Sequence, residues 1–474
     1  MITNVLIKQV VTGSSLLLKM EALRKLMTQT IKTIQVETIS QLKTAKALKK
    51  IATRLFNHDV AITFETGDFV LKQNSSVQGM ISYNEKLIVT ANSEANLLAV
   101  GTQALLRFFT KELAVGDTVV TYEQEQRILM IDIGRKYFSK DILFKFIESA
   151  SLAQFNYLQL HFSENEGFRI ESEVAPEIMS ENYLTKDEIR EVILYAEFFG
   201  IEIIPDFDSP GHLKQILKNR PEWQLRKKTE VGELERHPSA LNIVDQEAVL
   251  FIEALYKEYA ELFNRSRYFH IGGDEFVDFD EIDAYPDLKE AAVAMFGKNG
   301  TAMDYFIYYV NQLAEKVSSW GFIPRVWNDG FFRLNRQELV KLSEKVEITY
   351  WTKWNQNMAP VETFAEKDYT VINFNDNYFY YVLGEAAGYT YPTYEKIIKD
   401  WTPEMYPQSQ KVTELTNQFP GVALAIWSDI PSAQDEVTVW ESVTPLLLAV
   451  SQKESSTFMD EETVKQVLTT YFKK

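Results

Sequence analysis

Beyond residue 126, short apolar runs alternate with longer segments in which apolar residues recur every three or four positions. The short runs predict buried β-strands, and the periodic segments predict amphipathic helices. Eight strands are predicted, at residues 128–133, 157–162, 201–207, 268–271, 324–327, 346–351, 370–374 and 422–427. Helices are predicted at residues 140–154, 186–199, 246–263, 302–320, 337–345, 361–367 and 437–450.

This alternation indicates an α/β protein built as a (β/α)8 TIM barrel with insertions. A doubly wound open sheet is the alternative, but the Gly-x-Gly-x-x-Gly turn typical of that fold does not follow the first predicted strand. We therefore expect a barrel domain over residues 122–474, including a C-terminal helix.

Residues 1–121 predict a small α/β domain before the barrel. The pattern gives a helix at 40–56, a strand at 60–64 and a hairpin over 79–91 that turns at Asn84-Glu85. A second helix is predicted at 93–109, with Ser93 as its N-cap. We identify no catalytic motif in this domain.

The residues just past each barrel strand are the candidates for a site, because active sites of TIM barrels lie at the C-terminal ends of the strands. The strongest candidates are Asp274 and Glu275, which follow a buried-strand pattern and the pair Gly272-Gly273. Neighbouring side chains on a strand point to opposite faces, so these two carboxylates can converge only where the strand gives way to a loop. The other strand-end candidates are Arg135, His161, Glu164, Asp208, His212, Trp327, Asp329, Trp351, Tyr378, Tyr380, Trp427 and Asp429.

Composition narrows the class of ligand. The net charge of -18 argues against a nucleic-acid partner or an anionic membrane surface. The chain has no cysteine, and its five histidines show no metal-ligand spacing, so no metal site is predicted. Aromatic residues make up 13% of the chain, and tryptophans at strand ends are typical of a site that packs against a sugar ring.

The N-terminal residues also bear on location. They lack the basic-then-apolar pattern of a signal peptide, which predicts a cytoplasmic protein. A secreted protein whose signal has been removed is the alternative. The sequence contains no apolar run of about 18 residues, so a membrane-spanning helix is not expected.

Several motifs resemble those of glycoside hydrolase family 20, the β-N-acetylhexosaminidases. The His-x-Gly-Gly-Asp-Glu signature of that family is similar to residues 270–275, and its first-strand arginine motif is similar to 132–137. Its third-strand motif resembles residues 206–212. The family's three tryptophans match Trp327, Trp351 and Trp427. The resemblance runs from residue 127 to residue 450 in order.

The resemblance implies a retaining exo-β-N-acetylhexosaminidase that acts by substrate assistance, without metal or organic cofactor, on glycans with a terminal N-acetylhexosamine. Glu275 is then expected to be the general acid, and to keep its proton, while Asp274 stays charged and holds the acetamido group of the substrate. Arg135 is expected to bind two sugar hydroxyls. Other implied contacts are the three tryptophan walls, the hydroxyl of Tyr378 on the acetamido carbonyl, and His212 in a network that reaches the acid pair.

Three positions depart from the pattern of the family. Glu164 stands in the sequence Glu-Asn where the family commonly has Asp-Asp, and Asp429 replaces a usual glutamate. Tyr380 stands where an aspartate is usual, two residues past the tyrosine of the seventh strand. These positions leave the preference for GlcNAc or GalNAc open.

Two other functions compete with this reading. One is the release of a disaccharide, as by a lacto-N-biosidase, for which residues 384–413 would build or block a second sugar subsite. The other is a barrel that binds sugar without hydrolysing it. A binding protein would normally have lost its acid pair, whereas Asp274, Glu275 and Arg135 are all present here.

Overall fold

The computed structural model describes residues 30–455, 457 and 459–473, which form two compact units. The first unit consists of residues 30–121 and 465–473, and the second of residues 122–464. The barrel domain expected from the sequence extended to residue 474, whereas here the end of the chain groups with the first unit. Within that unit, Tyr471 is buried and the guanidinium of Arg54 lies over its ring, 5.1 Å from the centroid.

The first unit is a six-stranded mixed sheet with helices. Its strand order is β2-β1-β3-β5-β4-β6, and the predicted hairpin is the antiparallel pair β4–β5. Ser93 caps α2 as predicted, because its hydroxyl accepts the N–H of Asn96. The elements are β1 Thr33–Gln35, α1 Leu42–Phe56, β2 Ala61–Thr63, β3 Phe69–Gln73, β4 Gly79–Tyr83, β5 Leu87–Ala91, α2 Glu94–Phe109 and β6 Gly116–Val119.

The second unit is a closed barrel of eight parallel strands, as predicted. The barrel closes because its last strand, β21, pairs with the first, β7, and also with β17. The barrel strands are β7 Gln126–Asp132, β8 Tyr157–His161, β11 Glu202–Ser209, β14 Tyr268–Gly272, β15 Ile323–Trp327, β16 Glu347–Tyr350, β17 Val371–Asn373 and β21 Gly421–Trp427. All eight coincide with predicted strands to within two residues.

Helices connect these strands, and their apolar stripes are buried. They are α3 Lys140–Leu152, α4 Lys186–Phe198, α5 Lys214–Leu217, α6 Gln246–Leu262, α7 Pro286–Phe296, α8 Ala302–Ser319, α9 Val361–Ala365, α10 Asp376–Phe379, α11 Tyr394–Asp400 and α12 Glu436–Glu454. The last helix, α13 Glu461–Phe472, follows them. Among the helices that the structure describes, none is both long and apolar enough to cross a membrane.

One predicted helix, at residues 337–345, was wrong. Its backbone groups bond to side chains of α8 instead of to each other. Asp304 accepts the N–H groups of Leu339 and Val340, and the Asn311 amide bonds the carbonyl of Lys341 and the N–H of Ser343. These side-chain partners replace the i to i−4 bonds of a helix.

The sequence analysis missed a β-hairpin and several short strands in the loops. The hairpin, β12 Gln224–Lys228 with β13 Leu234–Leu241, follows β11. The short strands are β9 Ser163–Glu164, β10 Gly167–Phe168, β18 Tyr380–Val382, β19 Met405–Tyr406 and β20 Gln410–Lys411. Of these, β18 pairs in parallel with β21, which brings Tyr380 opposite Ala425 at the end of the barrel where the site lies.

Candidate active site

The acid pair lies just past β14, where the backbone leaves the strand. Gly272 and Gly273 have φ values of 76° and 92°, and Glu275 has a φ of 42°. A Cβ on Gly272 would lie 1.5 Å from Oδ1 of Asp208, so this position requires glycine. The turn leaves the Asp274 side chain 12% exposed and the Glu275 side chain 50% exposed, so Asp274 lies deep in the site and Glu275 at its mouth.

His212, in the loop after β11, joins three carboxylates. Its Nδ1 lies 2.8 Å from Oε1 of Glu164, and its Nε2 lies 3.4 Å from Oδ2 of Asp274 and 3.5 Å from Oε2 of Glu275. Burial disfavours the imidazolium, but Glu164 and Asp274 outweigh it and raise the pKa of His212 well above its usual value. His212 therefore carries a positive charge at neutral pH.

The pKa values of the two carboxyls in the acid pair are shifted in opposite directions. The imidazole of His212, 3.5 Å away, holds the pKa of Glu275 below its ordinary value, although burial opposes this. Burial raises the pKa of Asp274, and repulsion from Glu275 adds to the increase against the attraction of His212. His212 lies at a similar distance from both carboxylates, so the difference in exposure, 12% for Asp274 and 50% for Glu275, accounts for the opposite directions.

Asp329, just past β15, connects the acid pair to the aromatic wall of the site. Its Oδ2 accepts the backbone N–H of Glu275 at 3.0 Å, and its Oδ1 accepts the indole N–H of Trp351 at 3.1 Å. Burial and repulsion from Asp274 raise the pKa of Asp329 to about 7. Asp329 was a strand-end candidate, but the sequence did not show that it bonds to two other site residues.

Arg135, after β7, is held by three carboxylates. Its guanidinium lies 2.9 Å from Asp132, 2.6 Å from Glu164 and 3.4 Å from Glu166. Burial opposes the charge of Glu164, but His212 and Arg135 hold the pKa of Glu164 well below its ordinary value. Glu164 therefore bridges Arg135 and His212 as a permanent anion.

Aromatic side chains form the floor and one wall of the site. Trp351 and Tyr380 stack in parallel, with centroids 6.0 Å apart and an interplanar angle of 2°. Trp427 lies 5.8 Å from Tyr380 and 6.0 Å from Trp327, and Trp327 is buried. Three predicted tryptophans and one predicted tyrosine thus form a single aromatic cluster.

These groups line a cavity of about 420 Å³, within the range of small-molecule sites. The predicted residues that line it are Arg135, Glu164, His212, Asp274, Glu275, Trp327, Trp351, Tyr380, Trp427 and Asp429. Five others were not predicted: Trp354, Asp376, Val382, Ala387 and Tyr389. Trp354 and Asp376 each follow a predicted strand by three residues or fewer, and this spacing was the signal available for them. Ala387 and Tyr389 lie in segment 384–413, which the sequence analysis connected with a second sugar subsite without singling out a residue, and nothing in the sequence marks Val382.

Tyr378 does not line the cavity, and its predicted role was wrong. It lies in the single turn of α10, where its ring faces the ammonium of Lys396 at 5.0 Å. A helix rotates by about 100° per residue, so Tyr378 and Tyr380 leave the backbone in different directions. Tyr380, the first residue of β18, faces the cavity instead.

Asp208, His212 and Asp274 place one possible ligand atom each within 4.8 Å of one another, as a metal site would. The imidazole of His212 also lies 2.8 Å from Oε1 of Glu164 and 3.5 Å from Oε2 of Glu275, so in this structure these groups form an ion-pair network around His212.

The model of the glycosyl hydrolase family 20 catalytic domain matches residues 125–452. This chain belongs to glycosyl hydrolase family 20. The match covers the whole barrel, including every residue that lines the cavity.

Three similar proteins illustrate the relationship to family 20. A lacto-N-biosidase of Bifidobacterium bifidum is 26% identical over 314 residues, which cover 66% of this chain and 27% of that protein. Beta-hexosaminidase subunit A1 of Dictyostelium discoideum is 30% identical over 226 residues, covering 46% and 41%. The chain thus spans less than half the length of these curated relatives. The crystal structure of an exo-β-N-acetylglucosaminidase from Vibrio harveyi has a TM-score of 0.73 at 16% identity, covering 94% of this chain and 75% of that one, and shares the fold.

The structure changes how the family 20 pattern maps onto the seventh strand. Because Tyr380 faces the cavity, it takes the place assigned to Tyr378, and the position two residues further on is Val382. An aspartate is usual there in the family, so an apolar side chain replaces a group that binds far sugar hydroxyls. Asp429 and Glu164 do line the cavity, as predicted.

Proposed function

We propose that this chain removes terminal β-linked N-acetylhexosamine from oligosaccharides, with retention of configuration and by substrate assistance. The observation that carries the proposal is the position of Asp274 and Glu275 above the aromatic cluster of Trp327, Trp351, Tyr380 and Trp427. An acetamido group needs an apolar wall for its methyl, an acceptor for its N–H and a donor for its carbonyl. The cluster, Asp274 and Tyr380 supply these three.

In the first step, the acetamido oxygen attacks the anomeric carbon while Glu275 gives its proton to the departing glycosidic oxygen. The product is an oxazolinium ion, whose charge Asp274 stabilises through the N–H group. In the second step, water attacks the anomeric carbon and gives a proton to the Glu275 carboxylate. The oxazolinium ring opens and releases the sugar with retained configuration.

Substrate binding accounts for the protonation that this mechanism needs. A bound sugar removes water from the half-exposed carboxyl of Glu275, and desolvation raises the pKa of a carboxyl. The acetamido N–H donates to Asp274, and a donor favours the charged form. Both effects act in the direction that the mechanism needs, towards a protonated Glu275 and a charged Asp274.

A second candidate function is the release of a disaccharide. It is favoured by the apolar side chains of Val382 and Ala387, since Val382 stands where the family usually has an aspartate. Apolar side chains of this kind leave room for a further sugar on the far hydroxyls of the terminal sugar. The name of the Bifidobacterium bifidum relative, a lacto-N-biosidase, supports the same candidate.

The test is hydrolysis of four p-nitrophenyl glycosides: β-GlcNAc, β-GalNAc, β-glucose and β-lacto-N-bioside, each with and without a thiazoline inhibitor. Cleavage of the acetamido monosaccharides alone, blocked by the thiazoline, supports the first function. Cleavage of the lacto-N-bioside alone supports the second. Cleavage of β-glucose would contradict substrate assistance, because glucose has no acetamido group to attack.

A further inference from the structure

Trp354 differs from the other tryptophans of the cavity. It lines the same cavity but is 59% exposed, whereas Trp327 is fully buried at its floor. Within the part of the chain that the structure describes, no other aromatic ring stacks on Trp354. An exposed indole at the rim of a polar site leaves a large flat apolar face in water, which is typical of a binding surface.

The segment that carries Trp354 is fixed by one carboxylate, Asp280, in the loop that begins with the acid pair. Asp280 accepts hydrogen bonds from four side chains of the loops after β15 and β16: Arg333 at 2.6 Å, Asn355 at 2.9 Å, and Asn335 and Asn357 both at 3.0 Å. Although burial opposes its charge, these donors lower the pKa of Asp280 to about 2. The loop of Trp354 is therefore tied to the loop of Glu275.

The exposure of the side chains indicates which end of the substrate lies deep in the cavity and which end points outward. The sugar to be cleaved occupies the deep aromatic cluster, and its glycosidic oxygen must lie at Glu275, which is half exposed at the mouth. Whatever is attached to that oxygen then extends outward, past the rim. Trp354 is the exposed aromatic side chain of that rim.

We propose that Trp354 binds the first sugar of the leaving group, with its indole against the ring face of a β-linked hexopyranose. A pyranose with equatorial substituents presents axial C–H groups on its faces, which pack on an aromatic ring. Asp280 acts as a positioning residue, because it fixes Asn355 and Asn357 next to Trp354. The inference rests on the proposed function and adds the residue that meets the sugar on the far side of the cleaved bond.

The test compares two substrates that share the sugar to be cleaved. One is triacetylchitotriose, whose leaving group is a sugar, and the other is β-N-acetylglucosaminyl fluoride, whose leaving group has no ring. Trp354→Ala should lower kcat/KM for the chitotriose about tenfold or more, since it removes the buried apolar contact. It should change kcat/KM for the fluoride by less than about twofold, because the catalytic groups are untouched. Trp354→Phe should restore part of the loss.

The matched control is Leu250→Ala on α6, which removes an apolar side chain of similar exposure away from the cavity. It should leave both substrates unaffected. An equal loss on both substrates with Trp354→Ala, or no loss on the chitotriose, would overturn the proposed role of Trp354. A wild-type enzyme that cleaves neither substrate would overturn the proposed function itself, and the role of Trp354 with it.

Asp280→Asn provides the test of positioning. In the variant, an NH2 group replaces one of the carboxylate oxygens that accept hydrogen bonds from Asn355 and Asn357. Two donors then face each other, so the segment beside Trp354 should lose its fixed geometry. We expect KM for the chitotriose to rise several-fold while kcat for the fluoride stays unchanged. A fall in kcat for the fluoride would show that Asp280 acts on the acid pair and not on the rim.

Discussion

The carboxylate of Asp329 accepts the backbone N–H of Glu275 at 3.0 Å. Its other oxygen holds the indole of Trp351, so one buried side chain positions both the proposed acid and a wall of the acetamido pocket. Burial makes this carboxylate costly to charge, which gives the contact a measurable pH dependence.

Replacing Asp329 by asparagine should change how stability depends on pH. The folded-state pKa of about 7 lies above the unfolded value, so the folded protein holds this proton more tightly. Its contribution is present at low pH and is lost as pH rises from about 4 to about 7. The Tm of Asp329→Asn relative to wild type should therefore be higher at pH 8 than at pH 5. An offset that is equal at both pH values would contradict the raised pKa.

Tyr378 and Tyr380 offer a matched pair for the acetamido contact. Tyr380→Phe removes a hydroxyl that faces the cavity and should lower kcat/KM on p-nitrophenyl β-GlcNAc by about tenfold or more. Tyr378→Phe removes a hydroxyl from the side of α10 that faces Lys396 and should have little effect. A larger loss of kcat/KM with Tyr378→Phe than with Tyr380→Phe would instead support the contact of Tyr378 with the acetamido carbonyl that the sequence predicted.

His212→Asn should shift the pH profile of kcat/KM upward. The nearby imidazole of His212 lowers the pKa of Glu275, so its removal lets Glu275 keep its proton to higher pH. We expect the alkaline limb to move by about one pH unit. His237→Asn, in β13 and outside the cavity, is the control and should leave the profile in place. An unchanged alkaline limb in His212→Asn would show that this limb does not report the ionisation of Glu275.

The role of Glu275 as the acid predicts a dependence on the leaving group. Glu275→Gln should lower turnover of oligosaccharides by about a hundredfold to ten-thousandfold. Aryl glycosides with an activated leaving group need less protonation and should lose less. The measurement compares the loss of turnover on oligosaccharides with the loss on activated aryl glycosides. Equal losses would argue against general acid catalysis by Glu275.

Gly272→Ala tests the close approach of Asp208 to the backbone of β14. The new Cβ would overlap Oδ1 of Asp208, so we expect a loss of about 2 kcal/mol or more in urea unfolding. Gly232 is the control: its φ is also positive, at 87°, but its nearest neighbour is the end of a lysine side chain at 3.9 Å. If both alanine variants lose the same stability, backbone strain alone accounts for the effect.

The sequence predicted the barrel strands and the acid pair because each signal is local. An apolar run such as 268–271 predicts a strand by itself, and its end predicts where Asp274 and Glu275 lie. Trp327, Trp351 and Trp427 were found by the same strand-end rule. These positions depend on the barrel alone and not on how a loop folds.

The errors and omissions have another physical origin. Tyr378 was chosen over Tyr380 because the one-turn helix α10, which sets their directions, has no sequence pattern of its own. Tyr389 lies in a loop that folds back towards the cavity, and hydrogen bonds such as the one its hydroxyl donates to Asp376 hold it there. The sequence does not show such contacts. The opposite pKa shifts of Asp274 and Glu275 were not foreseen, because they depend on burial and on the position of His212, which only three-dimensional packing reveals.

The pairing of the last barrel strand with the first has a consequence for biosynthesis. Arg135 and Trp427 lie at the ends of β7 and β21, and the guanidinium is 5.5 Å from the centre of the indole. They meet only once the ribosome has released residues nearly three hundred positions apart in the chain. A nascent or prematurely terminated polypeptide that lacks β21 therefore has an open barrel and no sugar pocket. Translation must pass β21 before any copy of this barrel can bind a sugar.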